Sequence, residues 1–228
     1  MEKVTYLDQS VFNFLKELEK NNNRNWFAEH KEAYTSALEH FKAFAETLKA
    51  DLENQDHIER IKLYRIYRDV RFSKNKTPYK TSFSGGFTRA TKALRGGYYF
   101  HLQPGGNSMV GGGFWQPEAP DLKRIREEIA VDAKPLRKII NSAGFKKHFG
   151  RLEGEQLKTA PKGFPKDHPD IDLLRYKSFT VRKHFTDEEV TNPGFSEEVL
   201  KYFTAMRPFF DHMSEVLTTD SNGVSLID

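Results

Sequence analysis

Apolar positions recur at spacings of three and four over residues 8–20, where Val11, Phe12, Leu15 and Leu18 fall on one face. Asp8 or Ser10 can cap the helix this predicts. The polar run NNNRN at 21–25 interrupts it. A longer helix is expected from about Trp26, with Phe27, Tyr34, Leu38, Phe41, Phe44, Ala45, Leu48 and Leu52 in one stripe. The two form a helical hairpin in this reading. From residue 60 the period changes, and RIKLYRIYRDVRF predicts a strand to about Tyr67. SKNKTP reads as a loop, because Pro78 keeps Thr77 out of helical geometry. GGYYFHLQP at 96–104 and SMVGGGFW at 108–115, separated by GGN, read as a β-hairpin.

Beyond Pro120 the pattern is helical again, through Leu122, Ile125, Ile129, Leu136, Ile139 and Ile140, with Pro135 at a join. Residues 150–190 predict a strand near QLKTA, a turn at PKGFPKDHP, a short helix at DIDLLRYK and a strand at SFTVRKHF. The last helix carries Val199, Phe203, Met206, Phe210, Met213 and Leu217 on one stripe, with Ser196 as its cap and Pro208 as the site of a kink. No repeat or low-complexity linker divides the chain. The expected architecture is α+β: an antiparallel or mixed sheet flanked by helices, with an N-terminal helical hairpin and a long C-terminal helix. We expect a single domain over 1–228, with 218–228 as a frayed tail.

Composition narrows the chemistry. The 228 residues include no cysteine, which excludes disulfides, thiolate metal sites and cysteine nucleophiles. No basic leader precedes a long apolar run, so a cytoplasmic protein without a membrane partner is expected. Charge is unevenly placed. Residues 61–117 hold ten Lys and Arg against the single acid Asp69, a net +9, while the rest of the chain is net −5 and the whole +4.

No phosphate loop, dinucleotide fingerprint, zinc-protease helix or nucleophile elbow is present. Gly105, Gly106 and Gly111–Gly113 sit in a β context and read as strand bends rather than a phosphate cradle. Asp167, His168, Asp170 and Asp172 carry oxygen and imidazole donors, but an Asp-rich turn also caps a helix, and no metal site is assigned. His101 and His184 fit interior histidines better than ligands or shuttles.

The basic density is greatest in RIYRDVRFSKNKTPYK, residues 65–80. With one acid among so many cations, some must face solvent or an anionic partner. Candidate ligand-binding residues are Arg65, Arg68, Asp69, Arg71, Ser73, Lys76, Tyr79, Lys80 and His101. Positive neighbours depress the pKa of Asp69, so it orients an arginine more plausibly than it acts as a general base. A small phosphorylated or carboxylated ligand is the first expectation. Nucleic acid is the second, since residues 61–100 interleave ten basic with nine aromatic residues. An acidic protein partner is the third. Whether the chain is an enzyme, with which catalytic residues or cofactor, and in what oligomeric state, is not legible.

RIYRDVRFSKNKTPYKT, the glycine-rich GGYYFHLQP to GGGFW region and LKTAPKGFPKDHPDIDLLRYKSF together resemble the DUF2461 family of uncharacterised proteins. The resemblance runs from about Phe12 to Phe210. Its most specific part is the string Arg-Asp-x-Arg-Phe-Ser-x-x-Lys-x-Pro-Tyr-Lys, and Asn75 stands where many relatives carry an acid. The resemblance implies a site at this string but supplies no reaction.

Overall fold

In a computed structural model, residues 3–90, 92–220 and 222–227 are described. The fold is α+β, built on a five-stranded antiparallel sheet in the order β1-β2-β3-β4-β5. The strands are β1 (Ile58–Tyr64), β2 (Phe83–Arg89), β3 (Gly97–Leu102), β4 (Ser108–Phe114) and β5 (Phe179–Phe185). The helices include α1 (Gln9–Lys20), α2 (Arg24–Glu29), α3 (Lys31–Glu53), α4 (Ala119–Val131), α5 (Lys134–Ile140) and α6 (Ala143–Phe149). α7 (Ile171–Leu174), α8 (Asp187–Thr191) and α9 (Phe195–Thr218) follow. None of the described helices is long and apolar enough to cross a membrane.

Chain contacts divide the molecule into two compact units. The first comprises residues 1–87, 99–110 and 184–201. Here α1 packs along α3 as a helical hairpin. Asp8 accepts the Ser10 N–H at 2.8 Å and caps α1, a contribution of about 1 kcal/mol. The helix expected from Trp26 is instead two helices. Asn23 accepts the Trp26 N–H at 3.0 Å to start α2, and the chain leaves helical geometry at His30 before α3 begins. Phe41 stacks on Phe83 at 5.0 Å and Phe87 on Phe100 at 5.3 Å, so the interior of this unit is largely aromatic.

The second unit comprises residues 88–98, 111–183 and 202–228. Its core joins Ile125, Ile129, Leu136, Leu174 and Phe179 to Tyr98, Phe114, Phe203, Phe209 and Phe210. Arg89 is buried among them at 1% exposure, its guanidinium on Asp211 at 2.5 Å and over the Phe210 ring. Thr219 and Ser225, in the segment expected to be frayed, form an isolated bridge.

Several local expectations change. β1 ends at Tyr64, not Tyr67, because Tyr67 pairs with Tyr79 across the basic loop rather than with a neighbouring strand. β2 was hidden by its glycines. Its Gly85 is required where it stands, since a Cβ there would come within 2.7 Å of both Leu63 and Phe100. QLKTA forms no strand; Gln156 makes only an isolated bridge to Tyr176. Ser196 lies inside α9 rather than at its cap.

Candidate functional site

The basic loop leaves β1 at Tyr64 and returns to β2 at Phe83, and both ends lie in the first unit. A short ladder closes it. Arg68 N–H donates to the Pro78 carbonyl at 2.9 Å, and Lys80 N–H donates to the Ile66 carbonyl at 2.8 Å. Asn22 holds the returning limb with a pair of bonds, accepting the Tyr79 N–H at 3.1 Å and donating to the Tyr79 carbonyl at 3.0 Å. Tyr79 is buried, with its ring stacked on Phe27 at 4.0 Å. It anchors the loop to the helices, which is the position Pro78 and the ladder impose on it.

Inside the loop, most of the predicted cations contact the loop itself. Arg68 donates to the Thr77 hydroxyl, to the Thr77 carbonyl at 3.2 Å and toward Ser73 Oγ at 3.4 Å. Arg71 and Asp69 form a bidentate pair, with Nη2 to Oδ2 at 2.6 Å and Nε to Oδ1 at 3.0 Å. These bonds, with the Coulombic pull of Arg65 behind them, hold the Asp69 carboxyl below its usual range. Lys76 donates to the Val70 carbonyl at 3.0 Å. The loop thus braces its own backbone with charge.

Three cations are arranged differently. Lys62, Arg65 and Lys80 form no ion pair with any described carboxylate. Lys62 and Lys80 lie over the Tyr64 ring at 5.4 and 5.8 Å. Burial, then the neighbouring Arg65 charge, lowers the pKa of the Lys80 ammonium.

Strand alternation sets what adjoins them. Leu63 faces Gly85 and Phe100 on the core side, so Tyr64, Ser84, Tyr99 and His101 project from the opposite face. Tyr64 and Tyr99 rings are 6.3 Å apart. The Tyr99 hydroxyl bonds to Ser84, yet burial of the ring pushes its pKa up. His101 Nε2 lies 2.9 Å from Gln103 Oε1, which can only accept, so that nitrogen carries the proton. Nδ1 lies 3.4 Å from the Tyr99 hydroxyl. Lys62 and Lys80, both over the Tyr64 ring, and Arg65, whose charge acts on Lys80, thus adjoin a row of Ser84, Tyr99, His101 and Gln103.

Of the predicted residues, the fold sets Lys80 and His101 at this face, leaves Arg65 where its charge acts on both Lys80 and Asp69, and commits Arg68, Asp69, Arg71, Ser73 and Lys76 to the loop. Lys62, Tyr64, Ser84 and Tyr99, which share this face, were not among the candidate ligand-binding residues. The signal available was the alternation of IKLY and GYYFH, readable only once β2 is known to lie between the two strands. The Asp167–Asp172 turn, in the second unit, is occupied by Arg137, which pairs with Asp170 and Asp172 at 2.6 Å each. Among the described residues no cluster of His, Asp and Glu is arranged to hold a metal ion.

A family model described as conserved hypothetical protein (DUF2461) matches residues 10–212. No curated protein and no solved structure matches the chain.

Proposed function

The chain belongs to the DUF2461 family, and from that premise we propose that it binds a small phosphorylated or carboxylated ligand on the outer face of β1, β2 and β3. The observation that carries this reading is Lys80, part-buried beside the charge of Arg65 and, like Lys62, lying over the Tyr64 ring, with none of the three ion-paired to a described carboxylate. A cluster of like charges that also desolvates Lys80 costs free energy in the empty protein, and an anion seated there would relieve it. Arg65 offers a planar fork to phosphate or carboxylate, while the two lysines act as point charges. Ser84, Tyr99 and His101 would hydrogen-bond the uncharged part of the ligand. The row from Ser84 to Gln103 sets an imidazole beside a tyrosine hydroxyl, so proton transfer is the chemistry available if the ligand is turned over. Lack of cysteine fits a reducing compartment, and we place the protein in the cytoplasm.

The test is a thermal-shift titration with sulfate, phosphate, sugar phosphates, dicarboxylates and nucleotides at two salt concentrations. The double variant Arg65→Ala/Lys80→Ala and the control Arg71→Ala run alongside. We expect a salt-tolerant upward shift with at least one small anion, abolished in the double variant and retained in the control. No shift with any anion, or a shift that survives in the double variant, rules out this site.

One observation favours a second reading. Phe72 is 98% exposed at the tip of the loop, flanked by Arg71 and Lys74, with Tyr67 and Tyr64 also exposed. Exposed rings among cations suit single-stranded nucleic acid, through stacking plus backbone contact. An oligonucleotide contacting about five phosphates would lose affinity with a log–log salt slope of roughly −3 to −4. A single small anion has a much shallower dependence.

A further inference from the structure

The second unit carries a pocket of about 490 Å³, lined in part by Trp115, Arg151, Glu153, Glu155, Gln156 and Arg182. That volume lies within the ordinary range for small-molecule sites. We propose that this pocket binds carbohydrate, with a sugar ring stacked on Trp115 and its hydroxyls on the surrounding carboxylate, amide and guanidinium groups.

Three observations lead there. First, Trp115 is 66% exposed on the pocket wall, which leaves much of the indole open to a ligand. Second, its backbone is held in place under strain. Gln116, the next residue, has φ of 48°, and it is the one non-glycine residue with positive φ among those described. Its N–H donates to Ser178 Oγ at 3.3 Å. Gly113 (φ 130°) and Gly154 (φ 148°) adopt conformations closed to other residues, and a Cβ on either would collide with the carbonyl of Phe179 or Ser178. Special backbone geometry from the β4 end and from the 151–156 segment thus converges on residues 178 and 179. Strain concentrated in this way is retained where it positions a functional group.

Third, the lining selects a class of ligand. Glu153 pairs with Arg182, and Glu155 with Lys177 at 2.5 Å, so the carboxylates are held and locally neutralised. Arg151 forms no ion pair with a described carboxylate. The charged lining residues, Arg151 and Arg182 against Glu153 and Glu155, balance and offer a polyphosphate no net attraction, and only Leu152 among the lining residues is aliphatic, which disfavours a lipid. An exposed indole face bordered by planar hydrogen-bonding groups matches a pyranose, which has an apolar face of C–H groups and a rim of hydroxyls.

The test uses the full chain with Trp26→Phe, leaving Trp115 as the sole tryptophan. Fluorescence is titrated with chitotriose, cellotriose and maltotriose, with AMP as the polyanion control. Saturable quenching or a blue shift with at least one saccharide, and none with AMP, is the expected result. Because Trp115→Ala removes this reporter, calorimetry with the responding saccharide measures its effect in the otherwise native chain. It should weaken binding at least about tenfold, Trp115→Phe should restore most of it, and Arg65→Ala/Lys80→Ala should leave it unchanged. If no saccharide responds while circular dichroism shows the protein folded, the proposal fails. It also fails if binding survives Trp115→Ala or if AMP perturbs the Trp115 fluorescence as the sugars do. Since the pocket shares no residue with the proposed anion site, either reading can fail alone.

Discussion

Most arginines of the second unit and the cations around Tyr64 in the first are chemically alike and placed in opposite ways. In the second unit Arg89 meets Asp211, Arg95 meets Asp121, Arg124 meets Glu128, Arg137 meets Asp170 and Asp172, and Arg182 meets Glu153. Around Tyr64, Lys62, Arg65 and Lys80 form no ion pair with a described carboxylate, Arg65 acting on Asp69 only through space, and two of them share one ring. A paired arginine fixes geometry within the protein. Cations gathered without partners leave a field that a ligand can complete. The basic loop lies between these cases, since Arg68 and Lys76 satisfy backbone carbonyls and Arg71 satisfies Asp69.

The sharpest way to break the comparison is at its most structural member. Asp211→Ala leaves the Arg89 guanidinium buried without its carboxylate, and should cost about 3 kcal/mol. For a chain of this size that lowers Tm by roughly 6–12 °C. Arg89→Met, which removes the charge as well, should cost less. If the two variants are equally stable, the pair is not structural. Next in size, Arg68→Ala removes the brace across the loop and should cost about 1–2 kcal/mol, with amide exchange rising between residues 69 and 77. Smaller again, Arg71→Ala breaks an exposed pair and should change stability by less than about 1 kcal/mol. The smallest effect is expected where function is proposed. Arg65→Ala/Lys80→Ala should leave Tm unchanged or raised without ligand, because it removes repulsion rather than a bond. A clear drop in Tm would move these residues to the structural side.

The pH dependence sharpens the same contrast. Lys80 has its folded pKa lowered, so it loses its proton earlier than an ordinary lysine as pH rises. In the native state the charged form is penalised. This unfavourable contribution is present at low pH and fades as pH rises through the folded pKa. An anion favours the charged form, so sulfate binding should take up protons and weaken on the alkaline side before ordinary lysines titrate. Calorimetry in two buffers of different ionisation enthalpy reads that uptake directly. Proton release on binding would contradict it.

Much of this fold was legible because helices such as α1 and α9 bury one continuous stripe, and the spacing of Val11, Phe12, Leu15 and Leu18 needs no context to be read. The strand β2 was not legible, because FSGGFTR has glycines where a strand is expected to carry branched side chains. Their reason lies across the sheet, in Leu63 and Phe100. The site was half legible for a similar cause. Density of charge at 65–80 marked the region, but which cations turn inward depends on the register of two backbone bonds, at Arg68 and Lys80. Trp115 and its pocket lay beyond sequence reasoning, since the wall is assembled from segments near 115, 151–156 and 176–182.

The measurement that tests the central claim most directly is the NMR titration of the lysine ε-carbon resonances, with Lys80→Met used to assign Lys80, recorded with and without sulfate. The account predicts that Lys80 titrates below the other lysines in the free protein, and that sulfate moves it back toward them while leaving Lys76 in place. A Lys80 resonance that titrates with the others and ignores sulfate would contradict it.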